Sequence, residues 1–243
     1  MNIYLLLQQT VGTPAGDAAQ NMPPNLTDYV QTVPTEAQMN LLDLYMKGGW
    51  IMHVLVFLSI VALFIFIQRL LIIRRANRKD QGFMNRIKDY IHEGRIDSAL
   101  NLCRKTKLPA TRMIEKGITR LGRPMSDVLV AIENVGNIEV AKLEKGLPIM
   151  ATIAAIAPML GFLGTVTGMV RAFFDMANAG TAADIALLSN GIYEALITTV
   201  GGLIVGILVL FGHNYLVSQV GNVVNNMESR TMEFMDLLNE PAT

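Results

Sequence analysis

Three long apolar segments constrain the fold of this chain more than any other feature. They cover residues 48–68, 146–170 and about 185–217, and the only Asp, Glu, Lys or Arg within them is Glu194. The apolar core of a bilayer is about 30 Å thick, and about 20 helical residues are needed to cross it. None of the segments alternates with the two-residue period of a membrane barrel. The sequence therefore predicts an all-α membrane protein with three transmembrane helices.

Basic residues are concentrated between the first two apolar segments. Residues 69–145 contain seventeen of the 20 Lys and Arg, together with nine acids, whereas residues 1–47 and 172–184 contain one Lys and no Arg. Lys and Arg accumulate on the cytoplasmic side of membrane proteins. The predicted topology therefore has the amino terminus outside and the carboxy terminus in the cytoplasm. This topology accounts for the basic block, and nucleic acid is not expected as a partner.

These boundaries divide the chain into seven predicted segments. They are an external amino-terminal tail with a short amphipathic helix at its end (1–47), transmembrane helix 1 (48–73), a cytoplasmic helical region (74–146), transmembrane helix 2 (147–174), an external loop (175–184), transmembrane helix 3 (185–217) and a cytoplasmic carboxy-terminal helix (218–243). Apolar residues at steps of three and four predict one uninterrupted helix from Ser126 into the second span. The carboxy-terminal segment is expected to prolong the third span, so long helical extensions form a bundle under the membrane.

Recognisable catalytic motifs are missing from the sequence. It contains no P-loop, no nucleophile elbow and no paired spacing of metal ligands, and its three histidines are far apart. Cys103 is the one cysteine of the chain and is interpreted as a packing residue. We therefore expect a protein that is not an enzyme and that uses no metal and no cofactor.

Small residues recur at helical spacing on the second and third spans. In the second span they include Gly161, Gly164 and Gly168, and in the third they include Gly202. Small side chains let membrane helices approach closely where lipid supplies no hydrophobic driving force. These glycines are predicted to serve helix packing.

Glu194 does not fit such a packing role. If the third span begins at Ile185, a rise of 1.5 Å per residue places Glu194 about 14 Å into the membrane, near its midplane. A charged carboxylate there costs at least about 2.5–3.5 kcal/mol unless it is solvated, paired or protonated. Counting along the second span places Thr165 at the same depth, and Thr198 lies one turn from Glu194 on the same face. Glu194 is either a neutral acid that joins helices by hydrogen bonds or a carboxylate that relays protons beside hydroxyl groups, and we favour the relay.

Two segments of the membrane helices resemble a known family. The stretch 157–169, APMLGFLGTVTGM, and the stretch 191–199, GIYEALITT, are similar to the ExbB/TolQ branch of the MotA/TolQ/ExbB proton channel family. The KGGW sequence at 47–50 is also similar to the start of ExbB-type biopolymer transport proteins. The resemblance extends from residue 42 to residue 215 and beyond.

The resemblance implies a bacterial inner-membrane protein that forms a pentameric ring. In the family, the ring surrounds the single membrane helices of an ExbD- or TolR-like partner that supplies a membrane aspartate. Proton flow through this complex is thought to drive motion that a TonB- or TolA-like protein carries to the outer membrane. The implied function is a proton channel or motor subunit that couples the proton motive force to energised transport at the outer membrane.

Motif matching also assigns the proton pathway. It places the pore carboxylate at Glu194 and the pore threonines at Thr165 and Thr199. Helix geometry instead favours Thr198, because Thr199 lies about 140° around the helix from Glu194. Both threonines stay candidates. Two other functions also stay open, namely a TolQ-like or gliding/flagellar stator subunit and a structural membrane scaffold without proton conduction.

Overall fold

The computed structural model describes residues 45, 48–77, 82–106, 108–179 and 185–239. Within these ranges the chain forms seven α-helices and no strand. The helices are α1 (Gly49–Ala76), α2 (Phe83–His92), α3 (Ile96–Thr106), α4 (Pro109–Ile118), α5 (Met125–Glu144), α6 (Leu147–Ala179) and α7 (Ile185–Asn239). This architecture confirms the predicted all-α fold class. The predicted amino-terminal tail and its amphipathic helix lie outside the described residues, apart from Tyr45.

Three stretches of the described chain are long and apolar enough to cross a membrane. They are α1, the stretch Met125–Ala179 that contains α6, and Leu188–Asn239 within α7. All three carry large apolar side chains on their surface, among them Phe57, Phe64, Phe162, Phe173, Leu208 and Phe211. Such surfaces are suited to lipid, since a soluble protein rarely exposes large contiguous apolar areas. The chain is an all-α membrane protein.

Helices α6 and α7 make the most extensive contact of the fold, and small residues allow it. A Cβ atom added at Gly202 would lie 2.6 Å from the carbonyl oxygen of Ala157, and one added at Gly206 would lie 2.6 Å from Cγ of Pro158. No side chain larger than hydrogen fits at these positions unless the backbones separate. The two helices therefore pack with their main chains nearly in contact.

The predicted continuous helix from Ser126 into the second span was wrong. Helix α5 ends at Glu144 and α6 begins at Leu147, and between them Gly146 has φ +89°. That left-handed conformation is readily adopted only by glycine, and it interrupts the helix although the apolar spacing continues on both sides. The Gly146 backbone also makes room for α1, because an added Cβ atom would lie 3.3 Å from Nε of Arg69.

Helices α2 to α5 and the carboxy-terminal part of α7 form a helical bundle with its own core. Phe234 of α7 is fully buried, and its Cε1 atom would lie 2.6 Å from a Cβ atom added at Gly117 of α4. Cys103 is buried in the same core, and this burial, together with the nearby charge of Glu115, raises its pKa to about 12. The thiol therefore stays protonated and apolar at neutral pH, as a packing residue requires.

Candidate functional site

Glu194 projects from α7 toward the first residue of α1. A Cβ atom added at Gly49 would lie 2.6 Å from Oε1 of Glu194, and Gly49 has φ +62°. Helix α1 has no acidic residue in its first turn, and its N-cap residue, Gly48, makes no side-chain hydrogen bond to the first turn. The first N–H groups of a helix lack partners within the helix, and together they carry a partial positive charge. The side chain of Glu194 therefore lies beside the amino-terminal end of another helix.

A small cavity surrounds this carboxylate. Its volume is about 90 Å³, which is room for a few water molecules. The residues that line it come from three helices and from the residue before α1: Gly48, Gly49, Trp50, Ile51, Gly164, Thr167, Gly168, Arg171, Glu194 and Thr198. Arg171 is the one basic residue among them. Glu194 is half-buried, and Arg171 lines the same cavity.

The depth of Glu194 differs from the prediction. Glu194 is level with Gly49, where α1 begins, and Ala195 lies against Gly168 of α6, 3.0 Å from an added Cβ atom. The carboxylate therefore lies near one end of the apolar zone that the three helices share, and not near its middle. Counting from Ile185 was misleading because the first turns of α7 extend beyond the start of α1.

Thr165 is likewise not at the level of Glu194. Its neighbour Gly164 lies against the side chain of Thr198, one turn further along α7. Thr165 is therefore level with Thr198 and about one turn deeper in the apolar zone than Glu194. Glu194 therefore lies at one level, and Thr198 and Thr165 share a second level about one turn away from it.

The threonine hydroxyl groups all donate to backbone carbonyls. Thr165 donates to Phe162 at 2.6 Å and Thr198 to Ala195 at 2.7 Å, both within their own helices. The Thr198 hydroxyl also lies 3.4 Å from the Gly161 carbonyl oxygen of α6. Thr199 donates across to Gly161 of α6 at 3.0 Å. A hydroxyl has one proton and two lone pairs. Since each hydroxyl proton is donated to a carbonyl, only the oxygen lone pairs remain to accept a further hydrogen bond.

Thr198 and Thr199 differ in their surroundings. Thr198 is 2% exposed and lines the cavity of Glu194. Thr199 is half-buried and, like Thr165, is not among the residues that line this cavity. The structure thus brings Glu194 together with Thr198, while Thr199 makes the shorter of the two hydroxyl contacts with the Gly161 carbonyl oxygen of α6.

The four glycines of the small-residue pattern lie between two helices of the same chain. Gly161 is packed against the backbone of Thr198 and Thr199, with an added Cβ atom 2.9 Å from the Thr198 carbonyl oxygen. Gly164 and Gly168 face α7, and Gly202 faces α6. Among the described residues, no group of three or more His, Cys, Asp or Glu side chains is placed to hold a metal ion.

Sequence reasoning missed Arg171 and Gly49 as neighbours of Glu194. Arg171 follows Gly168 by three residues, so its position on the face of α6 that packs on α7 was detectable from helical spacing. No sequence pattern indicated Gly49, because its proximity to Glu194 depends on how α1 and α7 pack against each other.

Comparison with known proteins adds independent information. The model of the MotA/TolQ/ExbB proton channel family matches residues 105–229, which include all of α6 and the membrane part of α7. The chain is 32% identical to an ExbB-like protein of Synechocystis sp., over 73% of this chain and 71% of that protein. It is 28% identical to the Tol-Pal system protein TolQ of Haemophilus influenzae, over 85% of this chain and 96% of that protein. It is also 26% identical to an ExbB homolog of Methanothermobacter thermautotrophicus, over 77% and 67% of the two chains.

Proposed function

Because this chain belongs to the MotA/TolQ/ExbB proton channel family, we propose that it is the subunit of an inner-membrane motor that couples proton flow to energised transport at the outer membrane. One observation carries the proposal: Glu194 borders a cavity of water size between apolar helices. A carboxylate is retained in such a place at a cost of a few kcal/mol unless the site solvates or neutralises it. A role in proton transfer would explain why a carboxylate is present at this position despite its free-energy cost.

The arrangement of side chains supports a relay along the membrane direction. Glu194 lies at the end of the apolar zone where α1 begins, and Thr198 and Thr165 follow one turn deeper. Thr198 lines the cavity of Glu194, and its oxygen is the hydroxyl acceptor nearest to the carboxylate along this path, whereas Thr165 lies at the same level outside the cavity lining. Arg171 lines the same cavity as Glu194 and is the one basic residue among those that line it. Each proton that crosses 100 mV releases about 2.3 kcal/mol.

Orientation follows from the distribution of basic residues. The bundle of α2 to α5 and the last turns of α1 contain most of the Lys and Arg, which favours the cytoplasmic side. The amino terminus and the start of α1 are then periplasmic. In this orientation Glu194 lies at the periplasmic end of the pathway and takes up protons from there.

Partners are needed to turn proton flow into work. The chain has no Asp in its predicted spans, and the family resemblance assigns a membrane aspartate to an ExbD- or TolR-like protein with a single span. By the same resemblance, five copies of this chain surround that partner, and a TonB- or TolA-like protein transmits the motion. The relatives named ExbB support the first combination of partners.

A TolQ-like role is the second candidate. The similarity to TolQ of Haemophilus influenzae covers 96% of that protein, more than the similarity to either ExbB relative. Co-purification separates the two roles, because the small single-span protein that elutes with the complex identifies the system.

Substitution of Glu194 tests the proposal directly. Gln has nearly the shape of Glu and forms hydrogen bonds, but it cannot release a proton. The Glu194→Gln variant should assemble normally and lose proton flux into proteoliposomes that contain the complex with its partner. Glu194→Asp should keep part of the flux, since it retains a carboxylate. If Glu194→Gln conducts protons as well as the unchanged protein, the proposal fails and a structural scaffold is the better assignment.

A further inference from the structure

A groove with a strongly basic lining opens where α1 leaves the apolar zone. Its volume is about 690 Å³, and α1, α4 and α5 supply most of its walls. Four cationic side chains line it, with Glu139 as the one carboxylate among the lining residues: Arg74 and Arg75 from α1, Arg112 from α4 and Lys142 from α5. We call this the basic groove. Its lining carries a surplus of three positive charges.

Glu139 holds two of these cations in place. Arg112 Nη1 lies 2.8 Å and Lys142 Nζ 2.6 Å from the same oxygen, Oε1 of Glu139. Glu139 is 7% exposed, whereas both cations are exposed on the groove side. Arg has five N–H donors and Lys has three, so most of their donors stay available to an occupant of the groove.

Arg74 and Arg75 have no such anchor. Across the described part of the chain, no carboxylate lies within ion-pair distance of either residue. Both side chains are exposed at the end of α1. Two anchored and two unanchored cations therefore face one space, and an anion in the groove would relieve their mutual repulsion.

The groove is also continuous with an apolar surface. Leu71, Ile72 and Leu143 line it beside the cations. Above it on α1, Phe64 and Ile67 are 67% and 50% exposed. An occupant that matches both surfaces has an anionic head and hydrocarbon chains that extend along α1.

We propose that the basic groove binds an anionic phospholipid, with the phosphate between Arg75, Arg112 and Lys142 and the acyl chains along the exposed face of α1. The positive-inside rule accounts for Arg74 and Arg75, which directly follow an apolar span. It does not account for Arg112 and Lys142, which come from two other helices and are fixed toward the same space by a buried acid. Basic pockets of this kind at the inner membrane face are suited to acidic lipid headgroups.

Lipid titration of the full-length protein in a neutral detergent tests the proposal. The probes are dioctanoyl phosphatidylglycerol, dioctanoyl phosphatidylcholine and inorganic phosphate, and native mass spectrometry counts the molecules that each subunit retains. Phosphatidylglycerol should bind at least tenfold more tightly than phosphatidylcholine. The Arg74→Gln/Arg75→Gln double variant leaves the ion pairs of Glu139 intact and should bind phosphatidylglycerol about twenty-five-fold more weakly, from about fivefold for each charge removed.

The matched control is Arg120→Gln/Arg123→Gln, which removes the same charge from the helical bundle outside the basic groove. It should bind the lipid as the unchanged protein does. Equal weakening in the two double variants would overturn the site, as would equal binding of both lipids. If inorganic phosphate alone displaces phosphatidylglycerol at equal concentration, the groove takes a soluble anion and the lipid assignment fails.

Discussion

Oε1 of Glu194 occupies the space beside Gly49 that a side chain would need, since a Cβ atom added at Gly49 would lie 2.6 Å from that oxygen. The carboxylate proposed to carry protons therefore depends on a residue of another helix that has no side chain. Because Gly49 also has φ +62°, both its conformation and its size matter at this position.

Gly49→Ala should lower proton flux while leaving the complex assembled. The methyl group meets the carboxylate, and the left-handed backbone costs an L-residue about 1–2 kcal/mol. Flux into proteoliposomes and size-exclusion chromatography measure the two effects. Gly221→Ala is the control, since nothing lies within 4 Å of an added Cβ atom there. Full flux in Gly49→Ala would show that Glu194 works without this contact.

Val substitutions distinguish the two candidate threonines, because Val removes the hydroxyl and keeps the branched shape. Thr198 lines the cavity of Glu194, so Thr198→Val should lower flux more. Thr199 donates across to Gly161, so Thr199→Val should destabilise the protein more, by about 0.5–1.5 kcal/mol. Flux and thermal melting measured on both variants give the answer. The reverse order for flux would assign the pore role to Thr199, as the family resemblance implies.

Gly202→Leu should unfold the protomer and not merely separate copies of it. An added Cβ atom there already lies 2.6 Å from the Ala157 carbonyl oxygen, so Leu forces α6 and α7 apart. The yield and the melting temperature of the detergent-solubilised protein report the effect. Gly221→Leu should be tolerated as a control. A well-folded Gly202→Leu protein that fails only to oligomerise would place this glycine between copies.

Glu139→Gln should lower stability at neutral pH by about 1–2 kcal/mol, reduced because both cations are partly exposed. Burial alone would raise the pKa of Glu139, but hydrogen bonds from Lys142 and Arg112 outweigh burial and hold it below 4.5. The stabilisation is therefore complete above pH 4.5 and is lost as the pH falls through the lowered pKa.

Chemical denaturation at several pH values should show the difference between Glu139→Gln and the unchanged protein shrink below pH 4.5. Glu133→Gln, an exposed residue of the same helix, is the control. A difference that persists unchanged in acid would mean that the charge of Glu139 is not what stabilises the bundle.

Sequence reasoning located the three membrane helices because long runs without charge have few other solutions in a folded chain. It missed the break between α5 and α6, since Leu143 and Leu147 keep the helical spacing while a single backbone angle at Gly146 interrupts it. A lone glycine inside a helical pattern is compatible with either outcome.

In the candidate site, likewise, one residue could be identified from the sequence and its neighbours in space could not. Glu194 was identifiable alone, because an acid within an apolar segment is costly wherever the helix lies. Its neighbours depend on alignment: Gly49 is 145 positions away in the chain, and the level of Thr165 depends on which turns of α6 and α7 meet. Counting residues from the predicted end of a span cannot supply that alignment.

Helix α7 runs without interruption from Ile185 to Asn239 and is about 80 Å long. Glu194 lies near one end, and Phe234, about 60 Å away, is clamped in the bundle core. If a helix of this length moves as a rigid body, a small tilt near one end produces a larger displacement at the other. A tilt of 5° at the level of the carboxylate displaces the far end by about 5 Å, so under the proposed function a proton bound at Glu194 would have a mechanical route to the bundle core around Phe234.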